Sequence, residues 1–190
     1  MGISGARNER KNINNLMECP MNLREINNIK DINDKNDKND KIDKKNDFIK
    51  RTLEKHNELR KKHGSNNLRI SQELNQMAQE QADKLTEHKR EFFNHLYKDE
   101  ALGENILISD DLSIKPEKIC KDWYNEGINY DYKLNKFQKG KCHFTQLIWK
   151  DSKEVGFGFN FTNNEVIAVA YYYPSGNIIG KFSENVKEKK

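Results

Sequence analysis

His143 and Thr145 stand two residues apart at the head of the run Cys142-His143-Phe144-Thr145-Gln146-Leu147-Ile148-Trp149. An imidazole beside a hydroxyl is the beginning of a nucleophile–base pair. A working triad also needs a group to orient the imidazole and donors to hold an oxyanion. Nothing near this run offers either, so Thr145 is not read as a nucleophile. HExxH, P-loop and Rossmann patterns are likewise missing from the chain. His56 and Arg60 are four residues apart, a spacing that places both on one helix face and suits a buried polar anchor. Three cysteines, Cys19, Cys120 and Cys142, are too few and too uneven for a disulfide framework. Cys120 and Cys142 can pair only if their Cα atoms come within about 7 Å; free thiols are the expectation.

The elements that must position these residues follow from patterning. Phe48, Ile49, Leu53, His56 and Leu59 recur at helical spacing, and Gly64 stops that helix. A second helix is predicted from Ser71, its cap, to about Lys89, with Leu74, Met77, Ala78, Ala82 and Leu85 as the apolar stripe. Asp110 to Ser113 can cap a third helix that turns Ile114, Ile119, Trp123 and Tyr124 inward. Three strands are predicted next: Phe144–Trp149, Val155–Phe161, and Val166–Tyr173 as a buried central strand. Pro174-Ser175-Gly176-Asn177 reads as a turn. Helices followed by strands predict an α+β domain.

Four segments, in order, carry a family resemblance: His56-Asn57-Glu58-Leu59-Arg60, Gly103-Glu104-Asn105-Ile106, Cys142-His143-Phe144-Thr145-Gln146 and Tyr172-Tyr173-Pro174-Ser175-Gly176-Asn177. Over roughly residues 48–182 the chain resembles the CAP superfamily (cysteine-rich secretory, antigen-5 and plant pathogenesis-related group 1 proteins, with the SCP domain). Within it the chain is most similar to the intracellular Golgi-associated branch. The resemblance implies a three-layer α-β-α sandwich behind a disordered extension. It also implies a cleft that gathers His95, Glu104, Glu126 and His143. His88 competes with His95 for its place but lies in a charged run. Two imidazoles with carboxylates suit zinc, with His95 and His143 as metal ligands and a glutamate ligating or orienting a water. The same four residues equally suit a hydrogen-bond network that only shapes the cleft. His56, Arg60, Asn105, Thr145 and Asn177 are the motif residues expected to serve structure.

Of the 190 residues, 34% are hydrophobic, and mean hydropathy is −1.06. The polarity is concentrated at one end. Residues 1–47 are an Asn/Asp/Lys-rich extension, expected to be disordered because they cannot bury enough apolar area to offset chain entropy. All nine phenylalanines and both tryptophans lie beyond it, and residues 183–190 form a charged tail. Net charge is +4 with acids and bases interspersed, which predicts no nucleic-acid partner. Gly2 suits N-myristoylation, although Ala6 stands where that motif wants Ser or Thr. No signal-like or membrane-spanning apolar run appears. The expected location is cytoplasmic or peripheral on membranes, or extracellular if the true N-terminus differs from this one. The leading functional expectation is a non-enzymatic module that binds lipid or anionic membrane through basic clusters and the aromatic segment Tyr130 to Phe137. The alternatives are a protein-interaction domain with a structural cleft and a metal-dependent hydrolase. Some CAP relatives dimerise, so a homodimer is a further candidate assembly.

Overall fold

A computed structural model of the chain describes residues 23–87, 96–97, 100–162 and 164–190, with side chains described for 42–85, 101–162 and 164–190. The chain divides into two units between Asp40 and Lys41, and the second holds the sheet and the candidate site. Gly2, Cys19, His88 and His95 lie outside the described residues. Helix α1 spans Leu23–Lys61. It begins N-terminal to the sequence boundary at residue 48, but residues 42–47 are all exposed and packing starts at Phe48. After α1 come β1 (Arg69–Ile70), α2 (Gln72–Glu87), β2 (Leu96–Tyr97), β3 (Glu100–Ala101) and β4 (Gly103–Ser109). The chain continues with α3 (Pro116–Asn125), α4 (Cys142–Ile148), β5 (Glu154–Phe161), β6 (Val166–Tyr173) and α5 (Phe182–Asn185).

Four strands form one sheet in the order β1-β5-β6-β4. The short β1 runs parallel to β5, and β6 is antiparallel to both its neighbours. Period-two alternation along β6 assigns its side chains to two cores. Ile167, Val169 and Tyr171 pack with Leu74, Ala78, Ala82 and Leu85 of α2. Val166, Ala168, Ala170 and Tyr172 face the opposite way, toward Leu59 of α1, Ile119 and Trp123 of α3, and Phe144 and Leu147 of α4. The result is three layers: α2, the sheet, and α1 with α3 and α4. On β5 two of the residues facing α2 are glycines. A Cβ on Gly156 would lie 2.1 Å from the Leu74 backbone, and one on Gly158 would lie 2.2 Å from that of Ala78. Any side chain at either position would push α2 off the sheet.

Several local expectations are met and three are corrected. Ser71 caps α2, its Oγ accepting the Leu74 N–H at 3.3 Å. Gly64 closes α1 with φ +70. Val166–Tyr173 is a strand over the expected residues and is buried from Val166 to Tyr172. The run from Phe144 is a correction: it is helical, as α4, not a strand. A second correction concerns α3, which starts at Pro116 rather than at Asp110–Ser113. Proline at the first helical position already has the required φ and lacks only an N–H that the helix would leave unpaired. Asp111 instead closes a turn, accepting the Ser113 N–H at 3.0 Å and its hydroxyl at 2.6 Å. The third is β4, which the sequence reading left unassigned. Cys120 and Cys142 are free thiols. Among the described residues no helix is long and apolar enough to cross a membrane.

Candidate functional site

Helix α4 is only seven residues long, so its position depends on what holds its two ends. At the C-terminal end, Arg60 is fully buried and donates to four carbonyls. Nε bonds Asn66 O at 2.9 Å, Nη1 bonds Leu147 O at 2.9 Å and Trp149 O at 2.8 Å, and Nη2 bonds Ser152 O at 3.0 Å. A cation placed on the last carbonyls of a helix satisfies orphan acceptors and opposes the helix dipole. Burial lowers the Arg60 guanidinium to about 10, which leaves it charged at neutral pH.

At the N-terminal end the holding group is Glu126, just past α3. Its Oε2 accepts the backbone N–H of His143 at 3.0 Å and of Phe144 at 3.4 Å. Its Oε1 lies 2.6 Å from His143 Nδ1. An ionised carboxylate can only accept, so Nδ1 carries a proton. Burial works against ionisation of Glu126. The His143 bond and charge, with the two backbone bonds, outweigh it and hold the carboxyl below its usual range. Thr145 and Asn177 complete this end. The Thr145 hydroxyl contacts Lys141 O, Cys142 O and Asn177 Oδ1, while Asn177 Nδ2 donates to Cys142 O at 3.0 Å. Buried Thr145 is thus engaged at the head of α4.

A buried chain of hydrogen bonds ties α1 to the same site. The backbone carbonyl of Thr52 fixes the His56 tautomer, accepting Nδ1–H at 2.9 Å. Nε2 then accepts the Tyr172 hydroxyl at 2.8 Å. Asn105 donates its amide to that same hydroxyl at 3.2 Å and to His143 O at 3.0 Å. Complete burial pushes the His56 imidazole down to about 3, so it is neutral in the fold. Gln146, also fully buried, joins two motif glycines. Its Oε1 accepts the Gly176 N–H at 2.8 Å, and a Cβ at Gly103 or Gly176 would approach that oxygen to 2.1 or 2.6 Å. Glycine at both positions is what admits the amide.

The structure brings together Glu126, His143 and a residue the sequence reading did not place in the site, Cys142. Their ligand atoms all lie within 4.8 Å of one another. His143 and Glu126 are partly accessible, with side chains 30% and 26% exposed, and Cys142 is half-buried. The adjacency of Cys142 to His143 was the available signal. Glu104 stands apart from this group. It shares its face of β4 with its cross-strand partner Tyr171, which hydrogen-bonds its carboxyl, and it reaches His143 only through charge. Burial raises its carboxyl above the usual range, and Oε1 has no hydrogen-bond partner among the described residues. His95, the second expected metal ligand, lies outside the described residues. A thiol, an imidazole and a carboxylate are the donor types that zinc takes. Donors bound to one zinc stand roughly 3.5 Å apart, as follows from bond lengths of about 2.0–2.3 Å and tetrahedral angles.

Outside the site, two loops meet at the surface. Asn135 donates to Gly180 O at 3.1 Å and accepts the Ser183 N–H at 2.9 Å. The joined loops carry Leu134, Phe137, Ile178 and Ile179, which are 38%, 53%, 50% and 85% exposed. Exposed Lys133, Lys136 and Lys139 lie in the same stretch.

Comparison with known proteins agrees with this architecture. Residues 53–172 match the model of the CAP, or cysteine-rich secretory protein, family. The human Golgi-associated plant pathogenesis-related protein 1 is 33% identical over 143 residues, covering 73% of this chain and 92% of that protein. Mouse glioma pathogenesis-related protein 1 is 29% identical over 138 residues, covering 69% of this chain but only 54% of the mouse protein. Among solved structures, NaASP2 with Zn²⁺ superposes with a TM-score of 0.56 at 25% identity, covering 74% of this chain and 85% of that one.

Proposed function

The chain belongs to the CAP family of cysteine-rich secretory proteins, and we propose that it acts without catalysis, as a peripheral module that docks on anionic membrane. The observation that carries this reading is the pair of loops pinned by Asn135. Four exposed apolar side chains there are interspersed with lysines. Apolar side chains that enter the headgroup region and lysines that remain among anionic headgroups act together at a membrane surface. Each well-placed lysine is worth about 1 kcal/mol near such a surface. The human relative is named for its association with the Golgi, a membrane organelle, which favours the same reading. The half-buried group at the head of α4 holds a divalent cation in this proposal. The support is its donor chemistry and the solved neighbour that carries Zn²⁺.

Vesicle flotation tests the docking. The full chain is expected to float with anionic vesicles at low salt, much less at moderate salt, and not with neutral vesicles. The double substitution Ile178→Asp/Ile179→Asp should abolish flotation without changing thermal unfolding, because both side chains are at least half exposed. Flotation that survives the double substitution, or that depends on sterol and ignores salt, contradicts this surface. Absence of flotation on every vesicle turns the reading toward a protein partner.

A further inference from the structure

We propose that Cys142 is itself a metal ligand, so that the site takes a thiophilic or borderline divalent cation of the zinc class through sulfur as well as nitrogen. The inference rests on the cation-binding reading of the α4 site and deepens it. The family resemblance assigns metal to His95 and His143 and leaves the thiol out. In the structure the thiol shares one small volume with the imidazole of His143 and the carboxylate of Glu126.

Three observations favour coordination over a bystander role. The backbone of Cys142 is fixed, because its carbonyl accepts the Asn177 amide at 3.0 Å. The thiol is therefore held next to its neighbours rather than carried on a mobile loop. The imidazole is oriented by the 2.6 Å bond from Nδ1–H to Glu126, which stands behind the ring, so that in this proposal Nε2 and the Cys142 sulfur are the metal donors. A carboxylate behind a ligating histidine in this way fixes its tautomer and raises its basicity. Finally, Cys142 is the only described cysteine placed for such a role. Cys120 is fully buried against His56, at 3.3 Å from its Nδ1, inside the α1–α3 core. Coordination deprotonates the Cys142 thiol, and the proton leaves to solvent as the sulfur–metal bond forms. A site built with sulfur discriminates against the hard cations Mg²⁺ and Ca²⁺, which prefer all-oxygen sets.

The test uses the full chain with Cys19→Ser, which removes the N-terminal thiol, in reducing buffer, with Cd²⁺ and Co²⁺ as spectroscopic probes. One equivalent of Cd²⁺ should produce a sulfur-to-metal charge-transfer absorption in the ultraviolet, with Co²⁺ giving the corresponding band at longer wavelength. Adding Cys142→Ser should eliminate the bands and weaken binding at least tenfold. Cys120→Ser should leave both bands intact. Cd²⁺ that still binds through His143 without a charge-transfer band, or with one that persists in Cys142→Ser, overturns the thiolate ligand but leaves the cation reading standing. No binding of either probe, by absorbance or calorimetry, overturns both.

Discussion

His56 links a single proton to the stability of the whole domain. Its imidazole is neutral and fully buried between Thr52 O and the Tyr172 hydroxyl, and burial lowers it from 6.5 to about 3. The unfolded chain therefore takes up a proton near pH 6.5 that the folded chain refuses until about pH 3. Stability from this group is present above pH 6.5 and is lost as pH falls. Between pH 7 and pH 5 the loss is about 2 kcal/mol. His63, also lowered by burial, adds in the same direction. Urea unfolding of wild type and His56→Gln across this range should show a clearly shallower pH dependence in the variant. Equal slopes would mean that the histidine is hydrated or protonated in the fold. At this scale the sequence showed that His56 and Arg60 share a face, because spacing four is local. It could not show that their partners are Tyr172 and the carbonyls around α4, which lie roughly a hundred positions away.

Helix α4 depends on side chains outside itself. Seven residues cannot sustain a helix alone, and Cys142 to Trp149 has the apolar, β-prone composition of a strand. A short apolar run cannot be assigned by periodicity, since a buried strand and a buried helix segment look alike. The choice is made by Arg60 at one end and by Glu126, Thr145 and Asn177 at the other. By contrast, Val166–Tyr173 was legible as a central strand because eight successive apolar residues suit a site covered on both faces. The strand β4 was not, because Gly103-Glu104-Asn105 opens it with turn-prone residues whose glycine is there to admit Gln146. Arg60→Met tests the clamp. It keeps the aliphatic stem but leaves buried carbonyls of α4 and its following turn unpaired. A loss of about 3 kcal/mol or more is expected, read as a drop in the urea midpoint at unchanged slope. A loss under about 1 kcal/mol would mean that α4 holds its position without the guanidinium.

At the scale of the molecule, the three layers hold one end of α4 in a partly open site and expose the Asn135-pinned loops beside it. Asn177 joins the two regions. It bonds the head of α4 through Cys142 O and Thr145, and the exposed Ile178 and Ile179 follow it directly in the chain. Overall composition could not reveal this arrangement, because a net charge of +4 spread along the sequence says nothing about which lysines share a loop with exposed isoleucines. The central claim is that these loops enter lipid, and one substitution reports on it directly. Ile179→Trp keeps the position apolar, and the two native tryptophans, Trp123 and Trp149, are buried and will respond little. With anionic vesicles, the introduced tryptophan should shift its emission to shorter wavelength and be quenched by brominated acyl chains. The matching probe Leu112→Trp, exposed elsewhere on the domain, should show neither change. A vesicle-bound Ile179→Trp protein whose introduced fluorophore stays water-like and unquenched would contradict the account.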